Sequence, residues 1–130
     1  MRHGNKKGLE AIELYEQAFF LIYKKVQGFP RWHGRLRDAL LDRIVGFPGY
    51  LYTASKTNQA SKIYEADARL AELRALIRMA AAKEVKALTP DDAAAIQNWL
   101  QQVGARLNEW QEAIHERKRH GRDAREQHGR

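Results

Sequence analysis

The sequence has no cysteine and three prolines in 130 residues. Without thiols there is neither a disulfide framework nor a thiolate metal site. Its apolar runs, such as residues 18–23, fall far short of the roughly 20 residues that span a bilayer, which excludes a membrane-spanning helix. The first eight residues are polar and basic with no apolar stretch, so no secretory signal is expected and a cytoplasmic protein is the default. Also missing are a Gly-x-Ser-x-Gly elbow, a phosphate-binding glycine loop and a His-Glu-x-x-His pair, and with them the usual grounds for a nucleophile, a nucleotide site or a zinc site. A non-enzymatic protein without a cofactor is therefore expected. No strand alternation, internal repeat or low-complexity block is present.

What the chain does have is positive charge, a net +7. Residues 1–8 contribute +3 through Arg2, Lys6 and Lys7, and residues 117–130 contribute +4, with Arg117, Lys118 and Arg119 at their start. The intervening residues 9–116 are formally neutral. Three regions follow: a basic flexible N-terminus at 1–8, one folded domain at 9–116, and a basic tail at 117–130 that lacks an apolar face and is expected to be disordered or loosely helical. Within the domain, Lys24, Lys25, Arg31, Arg35, Arg37, Arg43, Lys56 and Lys62 face only Asp38 and Asp42 over residues 24–62, so the neutral domain is polar in charge. Such a distribution suits an anionic partner.

Apolar periodicity predicts four helices. Leu9, Ile12, Tyr15, Phe19, Ile22 and Val26 recur at helical spacing, and Gly28-Phe29-Pro30 ends that helix. A second helix is predicted from about Trp32 to Ala54 through Leu36, Leu40, Ile44 and Tyr50 or Leu51. Gly46-Phe47-Pro48-Gly49 removes a backbone donor inside it, so a kink or a break is expected near Pro48. After a polar connection at Ser55 to Gln59, the third helix runs from Ala60 or Ser61 to Glu84 on Ile63, Ala66, Leu70, Leu73, Ile77 and Ala80. Thr89-Pro90-Asp91-Asp92 opens the fourth with a capping hydroxyl, a proline at the first helical position and two acids. Its seam is Ile96, Leu100, Val103, Leu107, Trp110 and Ile114. Short connections and matched lengths predict an all-α, antiparallel up-down-up-down four-helix bundle.

Glu112 and His115 make one Glu-x-x-His step, the kind that holds di-iron centres in bundles. At about 100° per residue they lie roughly 200° and 140° from Trp110, away from the apolar seam, and no second such step exists. A solvated helix face is the better reading and no metal is expected. Arg74 and Arg78 are more informative, since with Asp67 they line the edge of the third helix's apolar stripe. Their stems can cover the core edge while the guanidiniums reach water or Asp67. They can equally form an interface to phosphate or carboxylate groups.

The run from Ser55 to Asp67, Ser-Lys-Thr-Asn-Gln-Ala-Ser-Lys-Ile-Tyr-Glu-Ala-Asp, continuing to Leu70, Leu73, Arg74 and Arg78, closely resembles the accessory variability determinant (Avd) proteins of diversity-generating retroelements. Pro30-Arg31-Trp32-His33-Gly34, Gly46, Leu88-Thr89-Pro90 and Val103-Gly104 resemble further family positions, so the likeness covers most of residues 9–112. These proteins sit within a wider group of four-helix bundles that includes those encoded in intervening sequences of ribosomal RNA genes. The resemblance implies a homopentameric barrel of bundles that binds a reverse transcriptase and its template RNA, with DNA as a further candidate, and supports mutagenic cDNA synthesis. It implies that Arg74 and Arg78 bind the transcriptase and that Lys56 and Lys62 contact nucleic acid, with Arg31, Arg35, Arg37, Arg117, Lys118 and Arg119 as additional basic candidates. Phe47-Pro48-Gly49 and the basic tail depart from the family pattern. The alternatives are a stand-alone RNA-binding bundle of the intervening-sequence type and an oligomeric structural protein.

Overall fold

The computed structural model describes the backbone of residues 3–128 and the side chains of residues 6–121. It contains helices α1 (His3–Gln27), α2 (Gly34–Thr57), α3 (Ala60–Ala81) and α4 (Pro90–His128), with a single 3-10 turn, Arg31–His33, before α2. Each helix packs against its neighbours in chain order and α4 closes the ring against α1. The result is the up-down-up-down four-helix bundle that the periodicity predicts.

The core follows the stripes. All six seam residues of α4 and all six stripe residues of α3 are buried, together with Ile12, Tyr15, Ile22 and Val26 from α1 and Leu40, Ile44 and Leu51 from α2. No charged side chain is buried among the described residues. Among them, too, no helix is long and apolar enough to cross a membrane.

Local chemistry sets the connections. Pro30 takes an extended conformation (φ −54°, ψ 148°) and Phe29 turns inward to plug the core, so the chain makes its 3-10 turn before α2 begins at Gly34. This corrects the start expected near Trp32. The polar connection shrinks to Asn58 and Gln59, because α2 continues to Thr57. Asn58 ends α2 in the left-handed region (φ 50°), its amide donates to the Ala54 carbonyl at 2.7 Å, and its side-chain oxygen accepts the Trp110 indole N–H at 3.0 Å. One residue thus caps a helix and fixes the largest core side chain. At the other end α3 stops at Ala81, three residues before the expected Glu84, and the Thr89 hydroxyl caps α4 by accepting the Asp92 amide at 3.1 Å.

Helix α2 runs unbroken through Pro48. Proline has no N–H, so the carbonyl four residues earlier, that of Ile44, loses its helical donor. The buried Tyr15 hydroxyl from α1 donates to that carbonyl at 2.6 Å, while its ring packs 4.7 Å from the Phe47 ring. Burial pushes the Tyr15 phenol far up from its ordinary value, so it remains a donor. A break is avoided because the neighbouring helix supplies what Pro48 removes.

The flexible ends expected at 1–8 and 117–130 fall partly on residues 1, 2, 129 and 130, which lie outside the described residues. Within the described span, α1 starts at His3 and α4 continues to His128. Residues 117–128 hold four arginines and no proline, so an already nucleated α4 propagates through them without an apolar face. At 39 residues α4 is roughly 58 Å long against roughly 33 Å for the 22-residue α3. Its C-terminal turns therefore project past the bundle.

Candidate binding surfaces

The antiparallel order sorts the basic candidates to opposite ends. The end of α1, the 3-10 turn, the start of α2, the end of α3 and the start of α4 meet at one end of the bundle. Arg31, Arg35, Arg37 and Arg78 belong there with Lys24, Lys25, Lys83 and Lys86, against the acids Asp38, Glu84, Asp91 and Asp92. Arg31, Arg35 and Arg78 are exposed, and Arg37 is tied to Asp38 by a 3.0 Å contact. Lys25 is also partly neutralised, 3.2 Å from Asp92 across α1 and α4.

Lys56 and Lys62 lie at the opposite end, around the turn between α2 and α3. Lys56 is exposed, whereas Lys62 is half-buried and 3.6 Å from Glu65 on the next turn of its own helix. Arg117, Lys118 and Arg119 leave the same end on the projecting part of α4, all three exposed. The fold therefore does not bring the nucleic-acid candidates into one patch. They form two, at either end of a bundle about 30 Å long.

Arg74 and Arg78 stand on the α3–α4 face, separate from the α2 surface. Arg74 is held in place: its Nε donates to the Gln97 side-chain oxygen at 3.0 Å, and the Gln97 amide donates back to the Arg74 backbone carbonyl at 2.9 Å. The partner is thus Gln97 of α4, where water or Asp67 was expected. This reciprocal pair orients the guanidinium and leaves its terminal nitrogens without a protein acceptor among the described residues. Arg78, one turn on, is exposed and likewise has no such acceptor among them. An arginine fixed through Nε with its other nitrogens outward is preorganised to grip a carboxylate or phosphate.

Along the α2–α3 groove the charges are internally matched. Arg43 on α2 and Arg69 on α3 both pair with Glu72, at 2.6 and 3.1 Å, and these arginines hold its carboxyl below the usual range, Arg43 most strongly. The Arg69 guanidinium lies 5.3 Å from the centre of the Tyr50 ring. These residues border cavities of about 300 Å³ along the α2–α3 groove, where Gly46 and Gly49 contribute no side chains. Because its charges cancel, that groove offers no excess attraction to an anion. At the tail end, His115 is half-buried with its Nε2 3.3 Å from the Tyr64 hydroxyl, and Glu112 is exposed. No cluster of three or more potential metal ligands occurs among the described residues.

Periodicity could not anticipate Gln97, whose role depends on the α3–α4 register. Nor did it anticipate that Trp32, in helical phase with Leu36 and Leu40, would be 81% exposed. The only sequence signal for that exposure was Pro30, which interrupts the helical phase before Trp32.

Fold and surfaces together define a four-helix bundle with exposed arginines and lysines at both ends. The model of the bAvd-like family matches residues 12–114, and the chain belongs to that family. The membership agrees with the resemblance read from the Ser55 to Arg78 region and associates the chain with the accessory proteins of diversity-generating retroelements. No curated protein matches the chain.

Proposed function

We propose that this protein is the non-catalytic accessory subunit of a diversity-generating retroelement, binding the element's reverse transcriptase and template RNA and supporting mutagenic cDNA synthesis. The observation that carries the reading is the match to the bAvd-like family across residues 12–114, nearly the whole bundle core. The arginine arrangement adds a physical rationale. Arg74, held by Gln97, and the exposed Arg78 one turn on form a cationic edge suited to carboxylates on a protein partner.

RNA is held in this reading by the two basic ends, Arg31, Arg35 and Arg37 at one and Lys56, Lys62, Arg117, Lys118 and Arg119 at the other. Lysine and arginine contacts to phosphate give affinity that falls with salt and depends little on sequence, so selectivity comes from the transcriptase. Assembly into a homopentamer repeats both ends around a ring, and weak contacts from each copy then add through effective concentration. The protein acts in the cytoplasm.

Reconstitution tests the proposal. The transcriptase encoded beside this gene, given its template RNA, is expected to make full-length mutagenised cDNA only when the chain is added. Equal yield and mutation frequency without the chain contradict the proposal.

A further inference from the structure

Trp32 is the most exposed of the large apolar side chains among the described residues, at 81%. A tryptophan in water forgoes burial of most of its large ring, which stabilises cores and interfaces elsewhere. Its exposure is imposed by the fold. Phe29 is buried and anchors the chain, Pro30 stiffens it, and the His33 amide closes the 3-10 turn on the Pro30 carbonyl at 2.9 Å. The indole is thus presented on a braced turn between two helices, and the backbone that carries it is already ordered by folding. Among the described residues its one aromatic neighbour is His33, with ring centres 6.1 Å apart and planes tilted by 56°, an arrangement that leaves the indole largely uncovered.

The surroundings select the ligand. Arg31 precedes the indole, Arg35 follows it one turn later, and both are exposed. This end of the bundle carries eight basic residues against four acidic ones between residues 24–38 and 78–92. An apolar partner protein has no use for that charge, and a duplex hides its base faces within the stack. An unpaired nucleotide satisfies both features, with its base on the indole and its phosphates on the arginines.

We infer that Trp32 is a stacking platform for an unpaired RNA base, flanked by Arg31 and Arg35 as phosphate contacts. The inference rests on the RNA-binding reading above and adds to it a preference for single strands and the residue responsible. Stacking is uncharged, so it contributes affinity without contributing to the salt dependence.

The test uses the full chain with a single-stranded RNA 12-mer and an RNA duplex of equal length. Trp32→Ala is expected to weaken single-strand binding at least about ten-fold, with the slope of affinity against salt unchanged and duplex binding unaffected. Trp32→Phe is expected to restore most of the loss. Single-strand binding is also expected to quench the indole fluorescence of the wild type, and Trp32→Ala to abolish that quenching although Trp99 and Trp110 remain. Unchanged single-strand affinity in Trp32→Ala, or an equal loss for the duplex, overturns the platform while leaving RNA binding intact. If the wild type binds neither RNA, the broader reading falls with it.

Discussion

Replacing Tyr15 by phenylalanine removes one oxygen atom and isolates the contact that carries α2 through Pro48. The ring keeps its place against Phe47, so no cavity opens. What is lost is the 2.6 Å donation to the Ile44 carbonyl, in a residue with no solvent exposure. A buried acceptor left without a donor costs about 1–3 kcal/mol. In a Pro48→Ala background the residue at position 48 regains its N–H and satisfies that carbonyl within the helix. Tyr15→Phe then removes only a supplementary bond, worth about 0.5–1.5 kcal/mol. The double-mutant cycle is therefore expected to give a coupling of about 1 kcal/mol between positions 15 and 48. Urea unfolding followed by far-ultraviolet circular dichroism at one protein concentration measures all four proteins, and similar slopes confirm comparable unfolding transitions. Equal costs of Tyr15→Phe in the two backgrounds refute the reasoning.

Two glycines are expected to respond with opposite signs. A Cβ on Gly8 falls 2.9 Å from the Trp110 ring, which is buried and pinned by Asn58, so Gly8→Ala lowers stability by about 1–3 kcal/mol, whereas Gly46→Ala meets nothing within 4 Å and gains about 0.5–1 kcal/mol; thermal melts that reverse this order contradict the packing. Asn58→Gly keeps the left-handed turn and loses only the Trp110 bond, while Asn58→Ala loses both and is expected to be less stable than Asn58→Gly by about 1–2 kcal/mol. Glu72 has its folded pKa lowered, first by Arg43 and then by Arg69, so its contribution to stability is present above the ordinary carboxylate range and lost as pH falls through the depressed folded value. Arg43→Gln is expected to move the Glu72 titration upward in carboxyl-carbon NMR, and an unmoved titration rules out that pairing.

The four stripes were legible because each repeats at helical spacing over several turns, and burial of the α3 and α4 stripes follows it residue by residue. Thr89 was legible for a different reason, since a capping hydroxyl followed by proline and two acids is a local signal. Pro48 was half legible. The missing N–H could be read from the sequence, but its replacement, the Tyr15 hydroxyl, comes from 29 residues before the Ile44 carbonyl that it serves and depends on how α1 docks on α2. Among the candidate sites, the edge position of Arg74 was visible from its angle on α3. Its partner Gln97 was not, because cross-helix register is set by packing of the whole core, including the approach of Gly104 to Leu70. Trp32 escaped for the same reason in reverse: its spacing to Leu36 is helical, and a turn stiffened by Pro30 intervenes.

The central claim is that the α3–α4 face grips the reverse transcriptase through Arg74 and Arg78, and the most direct measurement is calorimetric titration of the full chain into that enzyme. Arg74→Ala with Arg78→Ala is expected to retain wild-type helicity and oligomer size while binding the transcriptase at least about ten-fold more weakly. Gln97→Ala, which frees Arg74 without removing it, is expected to fall between the two. Wild-type affinity in the double variant would contradict the claim.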